Sequence, residues 1–148
     1  MPHASFMRES DYPPEEGLLL RARLHIRGGK RRLEQGRISA GLVTLYDALL
    51  AALEWYIESS ERRESLKILE GDNLKDDKSI YDILVRSKVL DGRFDYRAFD
   101  KLIERAILEE MDGYSYSEIL EEIQSVMTQL GIMPFDETAL PPEDPSIP

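Results

Sequence analysis

The sequence predicts an all-α protein: a compact bundle of five or six helices around a central apolar helix at about residues 37–58, followed by an extended, acidic, proline-rich C-terminal tail. Three observations predict it. All eight prolines lie at the ends, at positions 2, 13, 14, 134, 141, 142, 145 and 148. The long stretch from Glu15 to Met133 holds none, and proline is the strongest helix breaker. Apolar residues in that stretch recur at three- and four-residue spacing, while the alternation of a half-buried strand is nowhere sustained. The 148 residues suffice for one domain with its own core. They divide into an N-terminal arm at 1–14, a helical domain at 15–133 and a tail at 134–148.

The first helix is expected from Glu15 to Gln35, after the Pro13-Pro14 start signal. Leu18, Leu19, Ala22, Ile26 and Leu33 form its apolar side. Gly28-Gly29 interrupts it with a kink, a break or a site of close helix contact. The second helix, about Arg37 to Glu58, confines Thr44, Asp47, Glu54 and Glu58 to one narrow stripe and is apolar around the rest, as a central helix must be. A third is expected at Glu61–Glu70, stopped by Gly71, and a polar loop over Asp72–Asp77. The fourth is placed at Ile80–Val89 with Ser79 as cap and Asp82 in the capping-box position. The fifth, Tyr96–Met111, takes Asp95 as cap and a core stripe of Phe99, Leu102, Ile103, Ala106 and Ile107. The sixth begins with a Ser115–Glu118 capping box, stapled by Tyr114 and Ile119, and stops at Gly131. Beyond Pro134 the composition favours an extended chain, with Met133, Phe135, Leu140 and Ile147 available as anchors in a groove.

Charge is distributed unevenly. The formal net charge is −10, and all of it resides in residues 91–148, where 4 cations face 14 carboxylates. From Ala106 to Pro148 there is no lysine or arginine. Such a half repels phosphates and argues against nucleic-acid binding there. The first helix carries the one basic cluster, in which Arg23, Arg27 and Lys30 share a face with Arg31 beside them and Arg37 beyond. The acidic half, in the same molecule or a second copy, is the natural counterpart of that cluster. An acidic protein partner and nucleic acid are its alternatives.

Several chemistries are excluded. There is no cysteine, and His3 and His25 are the only histidines, so thiol catalysis and multi-histidine metal centres are ruled out. Asp72–Asp77 fails the calcium-loop pattern at Leu74 and Lys75. No phosphate loop, dinucleotide fingerprint or nucleophile elbow occurs, so no cofactor is expected. Asp47 and Glu54 are the carboxylates expected to be partly buried. Seven residues apart on one helix, they are roughly 10.5 Å apart along its axis, too far to share a proton or a metal. A solvent-facing stripe, or its pairing with an arginine of the first helix, is the simpler expectation. Tyr46, Trp55 and Tyr56 are expected in the core rather than lining a pocket. The apolar run Ile38–Ile57 is long enough to raise a membrane question, but a central Asp47 costs about 2.5–3.5 kcal/mol on insertion, so a buried soluble helix is expected. No signal-peptide pattern opens the chain, which with the absence of cysteine favours the cytoplasm.

The spacing Gly36-x4-Gly41-x3-Leu45-x2-Ala48-Leu49 resembles the second half of a tetratricopeptide repeat, within a helix pair at about residues 25–52. The first half departs from that pattern: Gly28 stands where a leucine belongs and Arg32 where a tyrosine belongs, and only Gly29 fits. The unit is not repeated, whereas arrays need about three. The same helix is similar to the HEPN helical bundles of toxin and nucleotidyltransferase-partner systems. Their Arg-x4–6-His ribonuclease motif is absent, since no histidine follows His25, so this resemblance implies a non-catalytic member.

The function expected from these residues is a self-associating interaction or adaptor protein. Its contacts use Arg23, Arg27, Lys30, Arg31 and Arg37 on the first helix and Phe135 in the tail. Nucleic-acid association through the arginine stripe ranks second, and an enzyme built on Asp47 or Glu54 third.

Overall fold

The computed structural model describes residues 12–142. Among these, six α-helices follow in order: α1 (Pro14–Glu34), α2 (Ile38–Glu58), α3 (Ser60–Glu64), α4 (Asp77–Arg86), α5 (Tyr96–Leu108) and α6 (Ser117–Leu130). A single 3-10 turn, Glu137–Ala139, lies in the tail. The expectations for residues 1–11 and for Ile147 fall outside the described residues.

The central position of α2 is as expected from its apolar circumference. Leu42, Leu45, Ala48, Leu49, Ala52 and Leu53 are fully buried, and α1, α3, α4, α5 and α6 all pack against it. It is also the one described helix long and apolar enough to cross a membrane, and more than half of that stretch is buried by the rest of the chain.

Gly28-Gly29 does not break α1, which is continuous. Both glycines are buried, and Gly29 serves close contact. A Cβ on Gly29 would lie 2.8 Å from Leu45 Cδ2 and 3.2 Å from the Gly41 carbonyl oxygen. A Cβ on Gly41 would lie 2.7 Å from Leu33 Cδ2 and 3.0 Å from the Leu33 backbone nitrogen. Glycines on both helices thus let the two backbones meet, and the three-residue connection at 35–37 makes the pair an antiparallel hairpin.

Four helices differ from expectation at their ends. The third helix ends at Glu64 rather than Glu70, leaving Ile68 and Leu69 exposed in a loop. The side chains of Arg62 and Arg63 turn back onto the end of α2: Arg62 Nη2 donates to the Trp55 carbonyl at 2.5 Å and Arg63 Nη1 to that of Ile57 at 2.6 Å. These cations cap carbonyls that α2 itself leaves unpaired, at its negative dipole end. Helix α4 begins three residues early, because Asp76 rather than Ser79 accepts the capping bond, from the Ser79 N–H at 3.0 Å. It ends at Arg86, where Lys88 turns into the left-handed region at φ 63°. Helix α5 keeps its Asp95 cap but stops at Leu108; Ser39 at the head of α2 takes over, donating to the Glu109 carbonyl at 2.7 Å and accepting from the Met111 N–H at 3.1 Å. The Ser115–Glu118 capping box does not form. Tyr116 stands at the N-cap of α6 without a side-chain bond, whereas Gly131 closes the helix in the left-handed conformation as expected.

The glycine seam yields a stability prediction. Gly41→Ala forces a methyl against the Leu33 side chain and backbone at once, and only the side chain can yield. Urea denaturation is expected to show a loss of about 1–3 kcal/mol, the usual range for overpacking. A loss below the error of the extrapolation would contradict the close approach.

Candidate functional site

The basic face of α1 and the chain beyond α6 come together. Gly131 turns the chain back, and Ile132 is fully buried while Met133 and Phe135 pack on the core. Arg23 Nε donates to the Ile132 carbonyl at 3.1 Å, and the Arg23 guanidinium stands 5.4 Å from the centre of the Phe135 ring, within cation–π range. One turn along α1, Arg27 Nη1 donates to the Glu137 carbonyl at 3.3 Å and Nη2 to the Pro141 carbonyl at 2.5 Å. Burial beneath the tail pulls the Arg23 guanidinium below its ordinary pKa. The expected meeting of the two ends is therefore present in the segment up to Pro141, but its chemistry differs from the expectation. These two arginines hold backbone carbonyls, not carboxylates.

The other members of the cluster are disposed differently. Lys30 and Arg37 are half-buried, and neither side chain makes a hydrogen bond or ion pair among the described residues. Arg31 is half-buried and does have a partner. Arg32, a further member of the cluster, is 7% exposed and is also engaged.

Asp47 is partly buried as expected, and its partners are the i and i+4 residues of α1 that face it. Arg21 donates through Nε at 3.0 Å and through Nη2 at 2.5 Å, and His25 Nδ1 pairs with the second oxygen. Burial alone would raise the Asp47 carboxyl, but the bonds from His25 and Arg21 outweigh it and hold it at about 2. The His25 partnership was not legible in the sequence, because it crosses 22 positions of chain with no motif. Asp47 is thus a clamp between α1 and α2.

Glu54 is exposed, contrary to expectation. It nevertheless meets a second carboxylate, Asp77 in the first turn of α4. Partial burial, the charge of Glu54 and a hydrogen bond with it push the Asp77 carboxyl up to about 7. On the same side, burial and Asp100 raise the Tyr46 hydroxyl, which also bonds to Tyr96. No group of three or more histidine, aspartate or glutamate side chains fit to hold a metal occurs among the described residues. Two clefts, of about 360 Å³ beside Lys78, Tyr81 and Tyr96 and about 220 Å³ beside Glu118, Glu122 and Gln129, are lined by neither Asp47 nor Glu54.

Comparison with known proteins returns no match: no family model, no curated protein and no solved structure.

The two carboxylates make opposite contributions to stability as pH changes. Asp77, raised from 3.8 to about 7, favours the folded state most below 3.8, and that contribution is lost as pH rises through about 7. Asp47, lowered from 3.8 to about 2, contributes above 3.8 and is lost as pH falls through about 2. Melting temperature is expected to fall between about pH 4 and pH 7 in the wild type and to flatten in Asp77→Asn, which melts higher at the alkaline end. An unchanged slope in that variant would remove the acid pair from the account.

Proposed function

We propose that the chain is a small protein-interaction module whose α1 face grips a proline-rich peptide segment, its own C-terminal tail serving as the resident occupant. The observation that carries this reading is the set of carbonyls, at Ile132, Glu137 and Pro141, taken by Arg23 and Arg27. A guanidinium that binds main-chain oxygens reads backbone rather than one side-chain sequence, and the tail presents these oxygens before, within and after its 3-10 turn at Glu137–Ala139. Proline suits such a segment, since it supplies the carbonyl while lowering the entropy lost on docking. The Phe135 ring beneath Arg23 adds one side-chain-specific anchor. An exchange of the tail for a matching segment, from a second copy or from another protein, is the interaction this surface supports.

Nucleic-acid association through the same stripe has less to work with. Arg23 and Arg27 are committed to the tail, and Lys30 and Arg37 are the two members of the stripe without a partner among the described residues. An enzyme built on Asp47 loses its nucleophile or base to the Arg21–His25 clamp.

A labelled peptide of residues 134–148 is expected to bind the chain truncated after Met133, and to bind the full-length chain at least about tenfold more weakly, because the resident tail competes. Arg27→Gln in the truncated chain should abolish binding by fluorescence anisotropy. Equal affinity for truncated and full-length chains, or an Arg27→Gln variant that binds normally, would overturn the reading.

A further inference from the structure

The junction of α2 and α5 leaves apolar surface open. Ser39 at the head of α2 meets residues 109–111 just beyond α5, and the Tyr46 ring lies 5.9 Å from that of Phe99. These contacts set an antiparallel register. Val43 is one turn from both Ser39 and Tyr46 on the same side of α2, so it lies opposite the turn of α5 bearing Ile103 and Ile107. Ile103 is buried, but Val43 is 36% exposed, Ile107 69% and Leu108 86%. Ile107 and Leu108 are the most exposed large apolar side chains among the described residues. Ile107 was expected in the core stripe of the fifth helix. Instead its side chain lies 69% exposed beside the head of α2, one residue before α5 ends at Leu108.

The surround of this patch carries both signs. Glu104, Glu110 and Asp112 are exposed around the end of α5, and Arg37 at the head of α2 is without a partner among the described residues. A surface with an apolar centre and both charges at its edge is complementary to itself under a twofold rotation. That is the requirement of an isologous dimer. A patch edged by acid alone would repel a copy of a chain that carries −10.

We propose that a second copy of the chain covers this patch. Ile107 and Leu108 of each copy pack against Val43 and Ile107 of the other, and each Arg37 reaches the carboxylates at the end of the opposite α5. This contact is independent of the tail and of the α1 face, so either proposal stands without the other.

Sedimentation of the full chain over about 5–500 µM, a span that brackets micromolar dimers, tests it. The wild type is expected to pass from monomer to dimer across that range or to be dimeric throughout. The double variant Ile107→Ser, Leu108→Lys is expected to remain monomeric with an unchanged far-ultraviolet spectrum, since both side chains are exposed. Arg37→Gln should weaken association about fivefold, the combined effect of the two symmetry-related edge ion pairs. Deletion of residues 134–148 should leave the dimer intact. A wild type that is monomeric throughout would overturn the proposal, as would a double variant that dimerises like the wild type. A dimer lost on tail deletion but kept in the double variant would assign the contact to the tail and overturn it too.

Discussion

The close approach of α1 and α2 is the constraint on which the other features rest. Gly29 and Gly41 remove the two side chains that would hold the helices apart, so Leu33 and Leu45 fill the space against opposing backbone. Packing gained this way is dense, and density is what dispersion rewards. The same approach brings Asp47 within reach of Arg21 and His25, one turn apart on α1. It also fixes the rotation of α1 about its axis. With the glycine side turned inward, Arg23 and Arg27 emerge where the chain leaving α6 passes.

Arginine in this protein serves carbonyl oxygens as well as carboxylates. Arg62 and Arg63 cap the end of α2, Arg86 takes the Lys67 carbonyl as well as the Asp72 carboxylate, and Arg23 and Arg27 hold the tail. A guanidinium offers five donors in a fixed plane and can serve two acceptors at once. The acceptors here are those that helix ends and proline-rich segments leave open, since such backbone has no ladder of its own. The uneven charge of the chain thus has a second meaning. The carboxylates of Asp136 and Glu137 are not what Arg23 and Arg27 bind, and Asp136 accepts instead from Thr138 in its own 3-10 turn.

Legibility varied with the range of the interaction. The core stripes of α2 and α6, that of α5 apart from Ile107, the Asp95 cap and the Gly131 stop were readable because each depends on residues within one or two turns. The third helix was read too long, because Leu66, Ile68 and Leu69 continue a helical spacing. Nothing local shows that Arg62 and Arg63 are drawn back onto α2. The cap of α4 was misplaced by three residues for a related reason: Ser79 and Asp76 are both good caps, and the early start also sets Asp77 against Glu54. Among the candidate contact residues, Arg23, Arg27 and Phe135 converge, while the burial expected of Glu54 fails. A stripe position on an apolar helix says that a side chain is polar, not which neighbour leaves it open.

By itself the sequence determined the helical class, the central rank of α2 and the polarity of charge, because proline placement, apolar periodicity and formal charge are properties of the chain wherever it folds. The tertiary structure alone decided that Gly28-Gly29 holds a contact and not a break, that Asp47 is a clamp, and that the tail is held by its carbonyls. Each of these depends on which surfaces meet across 12 to 114 positions of chain. Backbone oxygens are the same in every residue, so no pattern of side chains can announce which of them an arginine will take.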